Sequence, residues 1–327
     1  MDRYAPVGLT GAGDLREGSS RETLATPADF PDAYAYGSGT LEGWSRTLML
    51  RKLPPPERES DTVLSAEPDP TRFQTLYLWE KGNVPHVTRF LPSMRGYFDS
   101  YDFRPYLTVL PVRGKAKGAV VLLAGGAYQF RGNYTDTLPT AAKLRELGFV
   151  CCIVDYRLMP YSQEEGALDV ARAVRYLRQH ASAYGCKPEA VAVMGFSAGG
   201  IQAGQFLMGY DGQVDGTALD SAYRPDALDA VPAHASACGM VYSFYGRLSR
   251  GTLDEKALKE ADLPPTFFVY GTEDPFFSQF EAQYALLCRM GIADGRIVLA
   301  GWSHGFGGDG GWIDPFARWL EKRFASL

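Results

Sequence analysis

Histidine and cysteine, two residue types that bind metals, are scarce in the 327-residue chain, which holds four histidines and five cysteines. The cysteines, at positions 151, 152, 186, 238 and 288, are odd in number and show no metal-ligand spacing. Cys151 and Cys152 lie in one apolar run and Cys238 in another, where small buried thiols are common. We therefore expect buried free thiols, without a disulfide framework and without a metal site.

The chain also lacks a dense run of lysine or arginine, and its net charge is −5 at pH 7. Nucleic acids and anionic membranes bind to basic patches, so neither partner is expected. The longest purely apolar runs, such as residues 119–124, are far too short to span a bilayer. The N-terminus, Met1 to Pro6, does not have the charged-then-apolar layout of a secretory signal. A cytoplasmic protein is therefore the expectation.

The composition is that of a folded chain, since 46% of the residues are hydrophobic and 13% are aromatic. Residues 1–75 nevertheless carry little periodicity and many chain breakers, including the triplet at 54–56, which is all proline. We interpret them as an arm of unknown role that packs on the main domain or on a partner subunit, which leaves a homo-oligomer open. Residues 76–327 form the predicted main domain.

Strand and helix patterns alternate after about residue 75. The pattern predicts strands at 75–79, 106–112, 119–123, 149–154, 237–242, 266–270 and 297–300, and helices at 138–147, 167–181 and 280–290. A further strand and a further helix flank the segment Gly195–Gly199. This alternation predicts an α/β fold, with a doubly wound, mostly parallel sheet and helices on both faces. In such sheets the reactive groups gather at the carboxyl ends of the strands.

The segment Gly195-Phe196-Ser197-Ala198-Gly199 has the Gly-x-Ser-x-Gly pattern of a sharp strand-to-helix turn with a serine at its apex. Side chains at 195 and 199 would collide across so tight a bend. The serine hydroxyl would then be exposed above the sheet, beside a helix N-terminus and its free backbone N–H groups, which is the geometry that a serine nucleophile requires. Alone, the motif is weak evidence, because glycine and serine also form ordinary turns.

An acid and a base follow two later strands. Asp274 comes after the 266–270 strand, and His304 comes after the 297–300 strand. With Ser197 the chain order is Ser, Asp, His, which is the order of the α/β-hydrolase arrangement. His304 would take the serine proton, and Asp274 would orient His304. Glu273 is the rival acid, but the Gly-x-x-Asp spacing and the following proline favour Asp274.

The oxyanion hole should come from the turn after the 119–123 strand, together with the residue after the nucleophile. We assign the backbone N–H groups of Gly126, Ala127 and Ala198 as its donors. The Gly-Gly pair could instead be an ordinary turn or a phosphate cradle, but it lacks the Lys-Ser/Thr of a P-loop and the spacing of a dinucleotide fingerprint.

Each of these features has an ordinary explanation by itself. A serine in a tight turn is usually only a turn residue, and a lone histidine in a glycine-rich segment is usually a solvated loop residue. Their joint occurrence, in order and each at a strand end, is hard to obtain from independent ordinary causes, so it favours catalysis.

These residues match a known family. From about Leu76 to the end, the chain resembles bacterial α/β-hydrolase-fold esterases of the acetyl-xylan-esterase-like and hormone-sensitive-lipase-like groups. The matching stretches are 125–128 (GGAY), 154–158 (VDYRL), 194–200 (MGFSAGG), 264–267 (PPTF), 271–274 (GTED) and 303–306 (SHGF). The resemblance implies hydrolysis of esters through an acyl-enzyme without a cofactor, often with release of acetyl groups from carbohydrates. The chain departs from the family at three positions. Relatives usually have His or Pro where this chain has Ala124, Gly where it has Ala127, and often His where it has Ile201.

The substrate is expected to be a short-chain acyl ester, with acetyl favoured, of a small or oligosaccharide alcohol. Few residues separate the 237–242 strand from the next, so the fold should have a small cap or none. Tyr128 and Phe276 are the predicted substrate-binding residues, within a cleft also lined by Phe130, Tyr156 and Phe277.

Two alternatives stay open at this point. A prolyl-oligopeptidase-like peptidase would share the fold and the triad, although the chain has no propeller-sized N-terminal domain. A non-catalytic binding protein on a hydrolase fold would belong to a different class, but all three triad residue types are intact.

Overall fold

The computed structural model describes residues 52–90 and 99–327 in full. Of the residues before 52, it describes only the strand Gly8–Leu9. The strands, in chain order, are β1 (Gly8–Leu9), β2 (Gln74–Tyr77), β3 (Tyr106–Leu110), β4 (Gly118–Leu123), β5 (Phe149–Asp155), β6 (Val191–Phe196), β7 (Ala237–Val241), β8 (Gly246–Arg247), β9 (Arg250–Gly251), β10 (Thr266–Gly271) and β11 (Ala293–Leu299). The α-helices of the described ranges are α1 (Thr137–Glu146), α2 (Gln163–Gln179), α3 (Ala198–Gly209), α4 (Glu255–Glu260), α5 (Phe277–Arg289) and α6 (Ile313–Ala325).

Nine of these strands form one sheet in the order β1-β11-β10-β7-β6-β4-β5-β3-β2. The central strands β5, β4, β6, β7, β10 and β11 are parallel to their neighbours in this group, whereas β1, β2 and β3 pair in the antiparallel sense. The predicted doubly wound, mostly parallel sheet is therefore confirmed. The short strands β8 and β9 form a separate hairpin.

The direction of the crossovers places helices on both faces of the sheet. The chain passes from β4 through α1 to β5 in one direction, and from β5 through α2 to β6 in the other. Since such crossovers are right-handed, α1 and α2 must lie on opposite faces. In agreement, α1 packs against the C-terminal helix α6, whereas α2 packs against α3.

The core is built from strands that carry apolar residues on both sides. Every residue of β4, β5, β6, β7 and β10 is buried, as expected for a sheet that is covered by helices on both faces. Helix α2 begins with a capping box between Ser162 and Glu165. The thiols of Cys151, Cys152 and Cys238 are free and buried in this core, as predicted.

Several elements differ from the sequence prediction. Strand β11 begins four residues earlier than predicted, because Ala293-Asp294-Gly295 continues the pairing with β10 although it is not an apolar run. The β8–β9 hairpin and the helices α4 and α6 were not predicted. The hairpin strands have two residues each and α4 has six, so their sequence periodicity is too short to recognise.

Part of the predicted arm lies within the described residues. Leu53 and Val63 are buried, and the hydroxyl of Tyr106 donates a hydrogen bond to the carbonyl oxygen of Leu53 at 2.8 Å. Apart from β1, residues 1–51 lie outside the described residues, so the role of the arm and the division near residue 75 stay predictions. No helix within the described ranges is both long enough and apolar enough to cross a bilayer.

Candidate active site

Ser197 lies at the sharp turn between β6 and α3. Its φ of 49° and ψ of −119° are unusual for a residue other than glycine. A Cβ at Gly195 would lie 2.2 Å from the carbonyl carbon of Gly199, and a Cβ at Gly199 would lie 2.1 Å from the carbonyl oxygen of Leu123. Only glycine fits at these two positions, which confirms the predicted tight bend.

Two hydrogen bonds hold the backbone of Ser197 to the neighbouring strand β7. The N–H of Ser197 donates to the carbonyl of Val241 at 3.0 Å, and the hydroxyl of Ser243 donates to the carbonyl of Ser197 at 2.6 Å. Ser243 was not among the predicted site residues. The rule that located Asp274 and His304 would have found it, since Tyr242-Ser243 follows directly on β7.

The structure brings Ser197, His304 and Asp274 together. His304 Nε2 lies 2.8 Å from Ser197 Oγ, and His304 Nδ1 lies 2.7 Å from Asp274 Oδ2. An ionised carboxylate only accepts hydrogen bonds, so Nδ1 carries the proton and Nε2 is free to accept the serine proton. The arrangement can therefore convert the hydroxyl of Ser197 into a nucleophile.

Asp274 is fixed more firmly than its neighbour Glu273. Its side chain is fully buried, and its second oxygen accepts a hydrogen bond from the backbone N–H of Phe276 at 2.8 Å. Glu273 is exposed, so the two adjacent acids point to different surroundings. This geometry favours Asp274 as the partner of His304, as the sequence suggested.

Aromatic rings surround the imidazole of His304. The ring of Tyr242 lies 4.8 Å away and the ring of Phe276 5.8 Å away, both edge-on. These rings restrict the orientations that the imidazole can take. Phe276, one of the two predicted substrate-binding residues, is therefore next to the predicted base.

The predicted oxyanion turn follows β4 and has an unusual backbone. Gly126, Ala127 and Tyr128 have φ values of 134°, 53° and 58°. The N–H groups of Gly126, Ala127 and Ala198 donate no hydrogen bond to any residue of the described ranges. They are therefore open to an acceptor, whereas the N–H of Gly125 is already bound to Asp136 Oδ2 at 2.8 Å. The role of the three predicted donors stays a prediction.

The aromatic residues near the oxyanion turn are more buried than predicted. Tyr128 is 5% exposed, and its hydroxyl oxygen accepts a hydrogen bond from Gln163 Nε2 at 2.7 Å. Tyr156 has no exposed surface, and its hydroxyl donates a hydrogen bond to the carbonyl of Ala124 at 2.7 Å. The prediction that Tyr156 lines the cleft is therefore wrong. Burial raises the pKa of both hydroxyls, so they stay protonated at neutral pH.

A buried carboxylate that the sequence did not reveal lies beside this turn. Asp136 is 4% exposed and accepts hydrogen bonds from the N–H of Gly125 and from the hydroxyl of Tyr242, each at 2.8 Å. Burial raises the pKa of Asp136 to about 6, although these two hydrogen bonds act in the opposite direction. Its position before a helix resembles that of an ordinary N-cap, so nothing in the sequence distinguishes it from a helix cap.

Parts of the chain are similar to a known family and to curated esterases. The model of the BD-FAE family matches residues 109–237. Esterase LipQ of Mycobacterium tuberculosis is 28% identical over 210 residues, which cover 55% of this chain and 48% of LipQ. The probable carboxylic ester hydrolase LipM of the same organism is 34% identical over 79 residues, which cover 24% of this chain and 18% of LipM. The chain thus spans less than half the length of these two relatives.

Solved structures agree with the fold over more of the chain. An acetyl ester-xyloside bifunctional hydrolase from Caldicellulosiruptor lactoaceticus superimposes with a TM-score of 0.57 at 21% identity, covering 77% of this chain and 96% of the other. The apo form of esterase 2 from Thermogutta terrifontis gives a TM-score of 0.52 at 21% identity, covering 73% and 97%. The chain therefore has the α/β-hydrolase fold, and its predicted resemblance to the carboxylesterases of that fold is confirmed.

Proposed function

We propose that the protein is a serine carboxylesterase. The observation that carries the proposal is the continuous hydrogen-bonded row from Ser197 Oγ through His304 to Asp274, with contacts of 2.8 Å and 2.7 Å. The row stands at the turn where an α/β-hydrolase presents its nucleophile. Similarity to LipQ and LipM supports the ester as the bond that is cleaved.

In the first half of the proposed reaction, Ser197 Oγ attacks the carbonyl carbon of the ester while its proton passes to His304 Nε2. Asp274 stabilises the imidazolium that forms. The negative charge on the carbonyl oxygen is held by the N–H groups of Gly126, Ala127 and Ala198. The bond to the alcohol oxygen then breaks, and His304 delivers the proton to the leaving alkoxide, which leaves an acyl group on Ser197.

In the second half, water takes the place of the alcohol. His304 accepts a proton from the water as its oxygen attacks the acyl carbon, and it returns that proton to Ser197 Oγ as the acid departs. The net reaction consumes one ester and one water and releases one acid and one alcohol. No redox change occurs, so the residues present suffice for the chemistry.

We further propose a short acyl group, acetyl first, on a small or oligosaccharide alcohol. Between β7 and β10 the chain forms only the β8–β9 hairpin and the six-residue helix α4, which are too short to form a large cap domain. Without a large cap domain over Ser197, the alcohol part of the ester can be bulky and extend into solvent. One structural neighbour, from Caldicellulosiruptor lactoaceticus, is an acetyl ester-xyloside bifunctional hydrolase, which supports the same substrate class here. The cytoplasm stays the proposed location.

Active-site labelling tests the proposal. Wild-type protein should react with a fluorophosphonate probe and hydrolyse p-nitrophenyl acetate, whereas Ser197→Ala should do neither and should melt at nearly the same temperature. Loss of the nucleophile should lower turnover by roughly 10⁴- to 10⁶-fold. Ser236→Ala is the matched control and should keep full activity, because Ser236 lies just before β7 and bonds to Val191, at the end of β6 away from Ser197. Labelling that survives in Ser197→Ala would sink the mechanism.

A substrate panel tests the specificity and the alternatives. We expect acetyl esters to be cleaved faster than decanoyl esters. We also expect measurable release of acetate from acetylated xylo-oligosaccharides. Faster turnover of dipeptidyl amides than of any ester would favour a peptidase. A wild-type protein that neither labels nor turns over any of these compounds would favour a binding protein.

A further inference from the structure

Asp136 stands where a helix cap is expected, yet its side chain does not cap the helix. It precedes α1 at the N-cap position, but its carboxylate accepts no hydrogen bond from the first turn of α1. An N-cap aspartate ordinarily makes that bond. Here both oxygens are directed instead at Gly125 and Tyr242. The carboxylate therefore contacts the segment after β4 and the residue after β7 rather than the helix that it precedes.

The first of these contacts is with the predicted oxyanion turn. Asp136 Oδ2 accepts the N–H of Gly125 at 2.8 Å, immediately before the two predicted donors. A Cβ built on Gly125 would lie 3.1 Å from that oxygen and 3.0 Å from the Cβ of Ser197. The carboxylate and the nucleophile thus pack against the same point of the backbone.

The second contact leads to the loop that carries the predicted base. Asp136 Oδ1 accepts the hydroxyl of Tyr242 at 2.8 Å, and the same hydroxyl oxygen accepts the N–H of Gly307 at 3.2 Å. The ring of Tyr242 lies edge-on to the imidazole of His304, at 4.8 Å. Tyr242 also has a φ of 37°, a strained value for a tyrosine. Such strain persists only where surrounding contacts hold the residue in place.

We propose that Asp136 and Tyr242 are positioning residues that hold the oxyanion turn and the His304 loop in register with Ser197 Oγ. The inference rests on the proposed esterase function. Neither side chain forms a hydrogen bond with Ser197 Oγ or with a ring nitrogen of His304; their partners are Gly125, Thr135, Gly307 and each other. Through Gly125, Asp136 fixes where the N–H groups of Gly126 and Ala127 point. Through Gly307 and the imidazole face, Tyr242 fixes where His304 Nε2 points.

The test compares Tyr242→Phe with Tyr176→Phe. Each substitution removes one buried, hydrogen-bonded hydroxyl. The hydroxyl of Tyr176 lies 2.9 Å from that of Tyr184, and Tyr176 is close to the C-terminal end of α2. Tyr242→Phe should lower kcat for p-nitrophenyl acetate on the order of 10- to 100-fold with little change in KM, because misplacement of about 1 Å costs roughly that much. Tyr176→Phe should keep kcat within about twofold. Equal kcat values in the two variants would overturn the proposal.

Asp136→Asn and the double variant provide a second, independent measurement. If the two residues act through one shared contact, the double variant should lose no more kcat than the worse single variant. Multiplicative losses would overturn the proposal, as would losses in KM alone. Should Tyr242→Phe fail to fold, Asp136→Asn decides by the same split between kcat and KM. An inactive, unlabelled wild-type protein would instead refute the esterase function itself.

Discussion

The hydroxyl of Ser243 donates a hydrogen bond of 2.6 Å to the carbonyl oxygen of Ser197. The bond joins the end of β7 to the turn that presents the predicted nucleophile. A Cβ at Gly200 would lie 2.4 Å from the Cβ of Ser243, so the two segments are packed as closely as their atoms allow. The position of Ser197 thus depends on a residue that lies outside the Gly-x-Ser-x-Gly motif.

Ser243→Ala should therefore reduce both stability and activity. Loss of one buried hydrogen bond should lower the free energy of unfolding by about 1 kcal/mol. Because the turn is less well fixed, kcat should fall on the order of 10-fold. Ser236→Ala removes a longer bond of the same kind, 3.3 Å to the carbonyl of Val191, and should leave kcat unchanged. Denaturant titration and ester hydrolysis measure the two effects; equal kcat in both variants would contradict the prediction.

The neighbouring acids Asp274 and Glu273 offer a matched pair of substitutions. Asp274→Asn should lower kcat by about 10⁴-fold, because an amide would hold His304 in the wrong tautomer. Glu273→Gln should leave kcat within a few-fold of wild type, since this side chain is exposed while Asp274 is the one bonded to His304. Steady-state kinetics of both variants on p-nitrophenyl acetate would decide. A larger loss of kcat in Glu273→Gln than in Asp274→Asn would mean that Glu273, and not Asp274, is the acid that pairs with His304.

The oxyanion turn should not tolerate a side chain at Gly126. Its φ is 134°, and a Cβ there would lie 2.1 Å from the carbonyl oxygen of Phe130. Gly126→Ala must shift the backbone, which should remove at least one N–H donor and lower kcat about 10²- to 10³-fold. Gly291→Ala is the matched control, because its φ of 75° is also positive but its Cβ would meet open space. That control should lose about 1 kcal/mol of stability and no activity. Similar kcat values in both variants would rule out the donor role.

Asp136 should give the protein a measurable pH dependence of stability. Burial raises the pKa of its carboxyl from 3.8 to about 6, so the folded chain keeps a proton that the unfolded chain loses. The stability that this proton contributes is fully present below about pH 4 and is lost as the pH rises through about 6. At pH 7 the ionised, buried carboxylate costs about 3 kcal/mol.

Asp136→Asn should therefore be more stable than wild type at pH 7, and the difference should shrink towards pH 4. Tyr242 and Thr135 donate hydrogen bonds to the carboxylate, and a protonated His304 nearby also favours its ionised form. Asp155, whose pKa burial raises to about 7, is present in both proteins and cancels in the comparison. Denaturant titrations at several pH values measure the difference. A difference that does not vary with pH would contradict the prediction.

The sequence predicted the sheet and the triad positions because both depend on local signals. Buried parallel strands are continuous apolar runs, and the predicted catalytic residues Asp274 and His304 each follow such a strand. Hence the elements from β2 to β11 were largely anticipated. Helix α6 follows a glycine-rich stretch and was not recognised, although it has an apolar face that includes the buried residues Phe316 and Trp319.

The contacts of Asp136 could not be predicted in the same way. Asp136 is eleven residues from Gly125 along the chain and 106 from Tyr242, and only the folded sheet brings the three together. Tyr156 shows the converse error, since an aromatic residue after a strand was expected to face the cleft. Its hydroxyl finds the carbonyl of Ala124 instead, a contact that depends on the register of β4 and β5.

Four residues around the predicted nucleophile have positive φ values without being glycine: Ala127, Tyr128, Ser197 and Tyr242. Each costs on the order of 1–3 kcal/mol, so the rest of the fold holds this region against its own backbone preference. A small loosening of the sheet ends would relax these residues while the strands themselves persist. Enzyme activity should therefore be lost at milder heat or denaturant than circular dichroism, which makes turnover the earlier reporter of damage to the protein.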